Sequence, residues 1–100
     1  MAMTYRIEYI STFYEDILAV NEFLVAYPRK AVRVFAKADK AISILETMPE
    51  LYPIYNDVPA YRAIVIEDYM VFYKVKKQDR LVEIHRLIYG RMDIPIRLQE

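Results

Sequence analysis

Cysteine is absent from this chain of 100 residues. Disulfides and thiolate metal sites are thereby excluded, and a reducing compartment is the natural setting. A single histidine rules out a multi-histidine metal centre, and nothing in the chain asks for a cofactor. No apolar run approaches the roughly 18 residues that span a bilayer. The N-terminus lacks the basic-then-apolar order of a secretory signal. The expectation is a cytoplasmic protein with no membrane partner. Net charge is missing too, because 14 Lys and Arg balance 14 Asp and Glu. Bulk charge therefore does not announce a nucleic-acid binder, and any basic footprint must come from local patterning. Glycine occurs once, at Gly90, which implies a compact chain with few flexible loops.

What is present is aromatic and apolar. Ten tyrosines supply contact area with a polar tip. A chain of this length is expected to form one domain that buries roughly 60–68% of its unfolded surface, enough for a single core. Met1-Ala2 ahead of Met3 reads as a cloning remnant.

Residues 4–10 alternate Tyr5, Ile7 and Tyr9 with Arg6 and Glu8, as a half-buried strand does. Thr12 followed by Glu15 fits a capping box opening a helix. Phe13, Ile17, Val20, Leu24 and Tyr27 recur at steps of four and three, one stripe of that helix. Pro28 closes it and serves as the first residue of a second helix. That helix is expected to run to about Met48, with Ala31, Phe35, Ala38, Ile42 and Leu45 buried. The near-absence of a connector makes the two an antiparallel hairpin. Pro49, Pro53 and Pro59 mark an irregular stretch over 49–60. Strands are expected at 61–66, 69–76 and 80–89, joined by Glu67-Asp68 and Lys77-Gln78-Asp79, because their β-branched and aromatic content and short connections suit hairpins. A helical turn follows Pro95. The order β-α-α-β-β-β predicts an α+β fold: a helical hairpin on one face of a small, mostly antiparallel sheet, the other face free to bind something.

Arg29, Arg33, Lys37 and Lys40 share one face of the second helix. Such a stripe suits a phosphate or an acidic partner, and equally the solvated side of an amphipathic helix. Arg86 shares strand parity with Val82, Ile84 and Ile88 and so interrupts an apolar face. A guanidinium there needs a carboxylate, or a place where the sheet opens. The same parity puts His85 on the opposite face, as a candidate base for cleaving RNA or as a packing residue. Tyr69, Tyr73 and Tyr89 could stack on bases or position a phosphate; at strand spacing they also suit a core. Arg91 follows the only glycine at a strand end, where a ligand can approach closely. No Ser-His-Asp arrangement, glycine-rich phosphate loop or paired-carboxylate signature is visible.

The runs "YRAIVIEDYMVFYKV" and "VEIHRLIYGRMD", preceded by the short strand and helical hairpin, resemble toxins of the RelE/ParE superfamily from bacterial type II toxin–antitoxin systems. Residues 68–73 resemble the family's central hairpin. Arg86 followed by Tyr89-Gly90-Arg91-Met92-Asp93 resembles its closing pattern, an arginine and then a histidine- or tyrosine-glycine-arginine-arginine-aspartate run. The resemblance implies a fold similar to microbial ribonucleases and an antitoxin that wraps and neutralises the chain. ParE-like members poison DNA gyrase and need no catalytic residues. RelE-like members cut mRNA on the ribosome. For the second activity, Arg62 matches the first basic position and Arg91 approximates the late one. The catalytic set it implies is Arg62, Tyr73, Arg86, Tyr89 and Arg91, with His85 as a further base. The arginine expected after the hairpin tyrosine is missing, since Met70 follows Tyr69; one such contact is typically worth about 2.7–4 kcal/mol to the transition state. The ending fits the gyrase-directed branch better, although Met92 stands in place of a second arginine. The expected function is thus a gyrase-poisoning toxin. The alternatives are a ribosome-dependent mRNA endoribonuclease and a non-toxic interaction domain. Target or antitoxin binding is expected at Arg29, Arg33, Lys37, Lys40, Tyr69 and Arg91.

Overall fold

The computed structural model describes residues 4–99, so the reading of Met1-Ala2 falls outside the described residues. In chain order the elements are β1 (Arg6–Tyr9), α1 (Ser11–Phe23), α2 (Pro28–Ile44), β2 (Arg62–Ile66), β3 (Tyr69–Lys76), β4 (Leu81–Tyr89) and the short α3 (Ile94–Arg97). One sheet orders its strands β1-β4-β3-β2. Two hairpins make β2–β3 and β3–β4 antiparallel, while β1 returns parallel to β4. The expected α+β architecture is therefore the one observed. Pro28 begins α2, where its fixed φ suits the first turn and its missing N–H costs nothing.

The helical hairpin packs on one face of the sheet. Phe13, Val20 and Leu24 of the first helical segment, and Val34, Ala38 and Ile42 of α2, close on Ile64, Val71, Tyr73 and Val82. Ile17 is only partly buried, and Tyr27 is exposed because α1 has already ended. The second helix also ends early, at Ile44, and Leu45 to Thr47 continue in tighter turns whose N–H groups reach back three residues. The capping box does not form. Ile10 is the cap residue and has no side-chain bond, whereas the Thr12 hydroxyl donates to the His85 carbonyl at 2.8 Å.

That bond belongs to a larger arrangement. The four residues of β1 pair only with Leu81 to Ile84, leaving the outer edge of β4 unpaired beyond that point. Helix α1 takes over. The Ile10 N–H donates to Ile84 O at 2.9 Å, and the Leu87 N–H donates to Asp16 Oδ2 at 2.9 Å. A side-chain carboxylate thus replaces a neighbouring strand.

Two expectations about the sheet need correction. Its second face is not free: Ala63, Phe72 and Ile88 are covered by Ile94 and Leu98, with Tyr55, Val58 and Tyr61 packed alongside. The parity of β4 is also interrupted. Phe72 pairs with Arg86 and Tyr73 with Ile84, so His85 is the extra residue of a β-bulge. Val82 and Ile84 face the helices before it and Leu87 after it, while Ile88 faces the second cluster. Arg86 therefore does not share a face with Val82 and Ile84. His85 is not across the sheet from it either: its ring meets Tyr61, which also meets Phe72, the cross-strand partner of Arg86.

Candidate functional site

The β2–β3 turn and the end of β4 form one corner of the molecule. Glu67 takes a left-handed conformation, φ 54°, which costs a non-glycine residue on the order of 1–2 kcal/mol. Its carboxylate meets Arg33 at 2.7 Å and Lys37 at 3.1 Å. Asp68 meets Lys30 at 2.5 Å. The Asp68 carbonyl accepts the Gly90 N–H at 2.8 Å, and a Cβ at Gly90 would lie 3.1 Å from that oxygen. The lone glycine is therefore explained by a close backbone approach. Tyr69 and Tyr89 meet edge to face, 5.6 Å between ring centres.

This corner brings together Arg33, Lys37, Tyr69 and Arg91 from the expected binding set. Half of the basic stripe is already neutralised by the turn, whereas Arg29, Lys40 and Arg91 are exposed and form no ion pair among the described residues. The two cations hold the Glu67 carboxyl down from 4.5 to about 2. A carboxyl with a depressed folded-state pKa adds stability above its unfolded value, and that stability is lost as pH falls through the folded one. Glu67→Gln is accordingly expected to lower the urea midpoint at pH 7, with the difference shrinking between about pH 4.5 and 2. A pH-independent difference would contradict the assignment.

Beside the corner lies a largely apolar groove of about 460 Å³, lined by Val20, Phe23, Tyr69, Leu87, Tyr89 and Met92 and bounded by Asp16 and Arg86. Arg86 is tied down here. Its guanidinium meets both Asp16 oxygens, at 2.7 and 3.1 Å, and donates to the Arg97 carbonyl. The pair is 11% and 16% exposed, so this ion pair is structural cement between α1, β4 and α3. Asp16 was not anticipated from the sequence, yet it carried a signal. It sits three residues after Phe13 and four before Val20, a lone acid on the buried stripe.

The expected catalytic residues fall into two groups: Arg86 and Tyr89 at the groove, near Arg91, and Arg62 paired across the strands with Tyr73. Tyr73 is fully buried and its hydroxyl donates to Pro49 O at 2.9 Å; burial pushes its phenol above the ordinary value. Arg62 donates to Tyr52 O at 2.7 Å and pairs with Glu50 at 3.3 Å. It opens β2, while Ile66 at the other end of β2 leads through Tyr69 to Tyr89. The four steps along β2 from Arg62 to Ile66 separate Arg62 from the Tyr89–Arg91 corner by about 13 Å. His85 Nε2 lies 3.2 Å from Glu83 Oε1, and burial lowers the pKa of its ring.

The sequence matches the family described as the ParE toxin of type II toxin–antitoxin systems, parDE, over residues 7–94. The chain belongs to the ParE toxin family. No curated protein sequence matches it. Among solved structures it is similar to one of the chromosomal ParDE toxin–antitoxin system from P. aeruginosa, with a TM-score of 0.69 and 17% identity over 85% of this chain and 95% of that one. It is also similar to one of the toxin–antitoxin complex RelBE2 from Mycobacterium tuberculosis, with a TM-score of 0.62 and 17% identity over 87% and 99%. At such identities the likeness speaks to the fold, and it places this ParE-family chain in the RelE/ParE architecture. The family assignment makes the chain a toxin of a type II toxin–antitoxin system.

Proposed function

We propose that the chain arrests growth by binding and poisoning DNA gyrase, and that a cognate antitoxin neutralises it. One observation carries the preference for binding over RNA cleavage. Tyr73, Arg62 and Arg86 are engaged by internal partners, and the register keeps Arg62 far from Arg91, so these groups do not surround one phosphate. An exposed arginine on a rigid corner, next to an apolar groove, suits a protein target. Match to the ParE family supports the same reading.

The antitoxin surface in this reading is the outer side of the hairpin. Phe23, Val25, Tyr27 and Val32 are exposed there, Val25 to 79%, beside Arg29 and the rest of the α2 stripe. An acidic, amphipathic segment that folds on docking fits both features. The second face of the sheet, covered by Ile94 and Leu98, offers it no room.

Inducing the chain alone tests the reading. DNA-damage signalling should rise with no new mRNA 5′ ends, and co-expressed antitoxin should restore growth. New ends within translated messages would replace it with ribosome-dependent cleavage. Normal growth on induction would point to a non-toxic interaction domain.

A further inference from the structure

The groove beside the Tyr89–Arg91 corner has a floor and a mouth of different character. On the floor, Val20, Tyr69 and Leu87 are buried members of the main core, so its shape is set before anything docks. At one end the Asp16–Arg86 pair is complete, with the carboxylate also accepting the Leu87 N–H. No buried side-chain nitrogen or oxygen lacks a partner among the described residues. An occupant therefore has no donor or acceptor to satisfy on the floor, and apolar surface is what gains by entering. Phe23 and Met92 stand at the mouth, 72% and 45% exposed. Large apolar side chains left in water around a preformed hollow are the signature of an interaction site.

Charge at the mouth narrows the occupant. Arg91 lies in sequence between Tyr89 and Met92, both of which line the groove. It is exposed and forms no ion pair among the described residues. Two acids are near at hand, and neither balances it. Asp16 is held by Arg86. Asp93 acts elsewhere: burial, and then the charges of Asp57 and Asp93, raise the Tyr55 phenol, which puts the Asp93 charge within reach of the second cluster, where Tyr55 packs. The volume of about 460 Å³ falls in the range that seats a drug-sized group. The Tyr69 and Tyr89 rings, 5.6 Å apart and edge to face, offer a further ring the geometry that aromatic groups prefer.

We propose that the groove receives a large apolar side chain, aromatic by preference, from a segment of gyrase whose neighbouring carboxylate meets Arg91. The inference rests on the gyrase reading and adds the chemistry by which the target is recognised. Burial of the ring supplies the affinity, and Arg91 at the rim sets the orientation and excludes segments that carry a cation there.

The test is inhibition of supercoiling by purified gyrase, titrated with the wild-type chain and three variants. Ala19 is an exposed α1 residue that lines the groove, so Ala19→Trp fills the hollow from its wall without entering the core. It should need about tenfold more protein, or higher, for equal inhibition. Met92→Glu sets a negative charge beside Arg91, and Met92→Lys sets a positive one. The glutamate variant should need about threefold more protein than the lysine variant, within the range spanned by exposed ion pairs. Urea midpoints check that each variant is folded. If Ala19→Trp is not, the two variants at exposed Met92 decide the matter. Equal inhibition by wild type and folded Ala19→Trp, or by the two Met92 variants, would overturn the groove and leave the gyrase reading standing. No inhibition by the wild type would overturn that reading, and the groove assignment with it.

Discussion

Replacing Asp16 with alanine is expected to cost about 3–5 kcal/mol of folding stability, the usual penalty for removing one partner of a mostly buried ion pair. The carboxylate serves two purposes. It accepts from Nε and Nη2 along one edge of the Arg86 guanidinium and also accepts the Leu87 N–H. Without it a charge and a backbone donor are stranded where water has little access. Arg86→Ala should be costly for the reciprocal reason, and it also frees the Arg97 carbonyl that holds α3. Replacing Asp16 and Arg86 together with apolar residues of similar volume should recover much of the loss, because an apolar pair does not leave a charge behind. Urea unfolding of the two single variants and the double variant reads this directly. A single-variant cost below about 1 kcal/mol would place the pair among surface ion pairs of little energetic weight.

The second large effect is functional. Arg91→Ala should raise the concentration needed for gyrase inhibition by about 30-fold or more, the equivalent of an interface hot spot of about 2 kcal/mol. Its stability should change by no more than about 0.5 kcal/mol. The asymmetry follows from placement. Arg91 is exposed without an ion-pair partner among the described residues, on a segment pinned by the Gly90 N–H to the Asp68 carbonyl. Arg33 differs, since Glu67 already occupies it and a partner must compete for it. Equal inhibition by wild type and Arg91→Ala would remove this arginine from the target surface.

Much of the fold was legible in the residues themselves. Pro28 marked the helical break, and the two short turns at Glu67-Asp68 and 77–79 fixed the hairpins. Other features depended on contacts between distant segments. The bulge left a trace: apolar alternation through Val82 and Ile84 gives way to the adjacent pair Leu87-Ile88, which both end up buried, on opposite faces. Strict parity cannot represent that slip. The cover on the second sheet face comes from Tyr55, Val58, Ile94 and Leu98, residues of irregular or terminal segments whose apolar character has no period to reveal it. The pairing of Glu67 and Asp68 with α2 links residues more than thirty apart in sequence, and charge patterning within one helix could not expose it. The α2 stripe was legible as a stripe, while its partial neutralisation was not.

The central claim is that this chain acts by holding gyrase rather than by cutting RNA. The most direct measurement is supercoiling and cleavage-complex formation by purified gyrase, with the purified chain added and no ribosomes present. The account predicts dose-dependent loss of supercoiling with accumulation of cleaved DNA. Unchanged supercoiling and no cleaved DNA, at concentrations well above those of the enzyme, would contradict it.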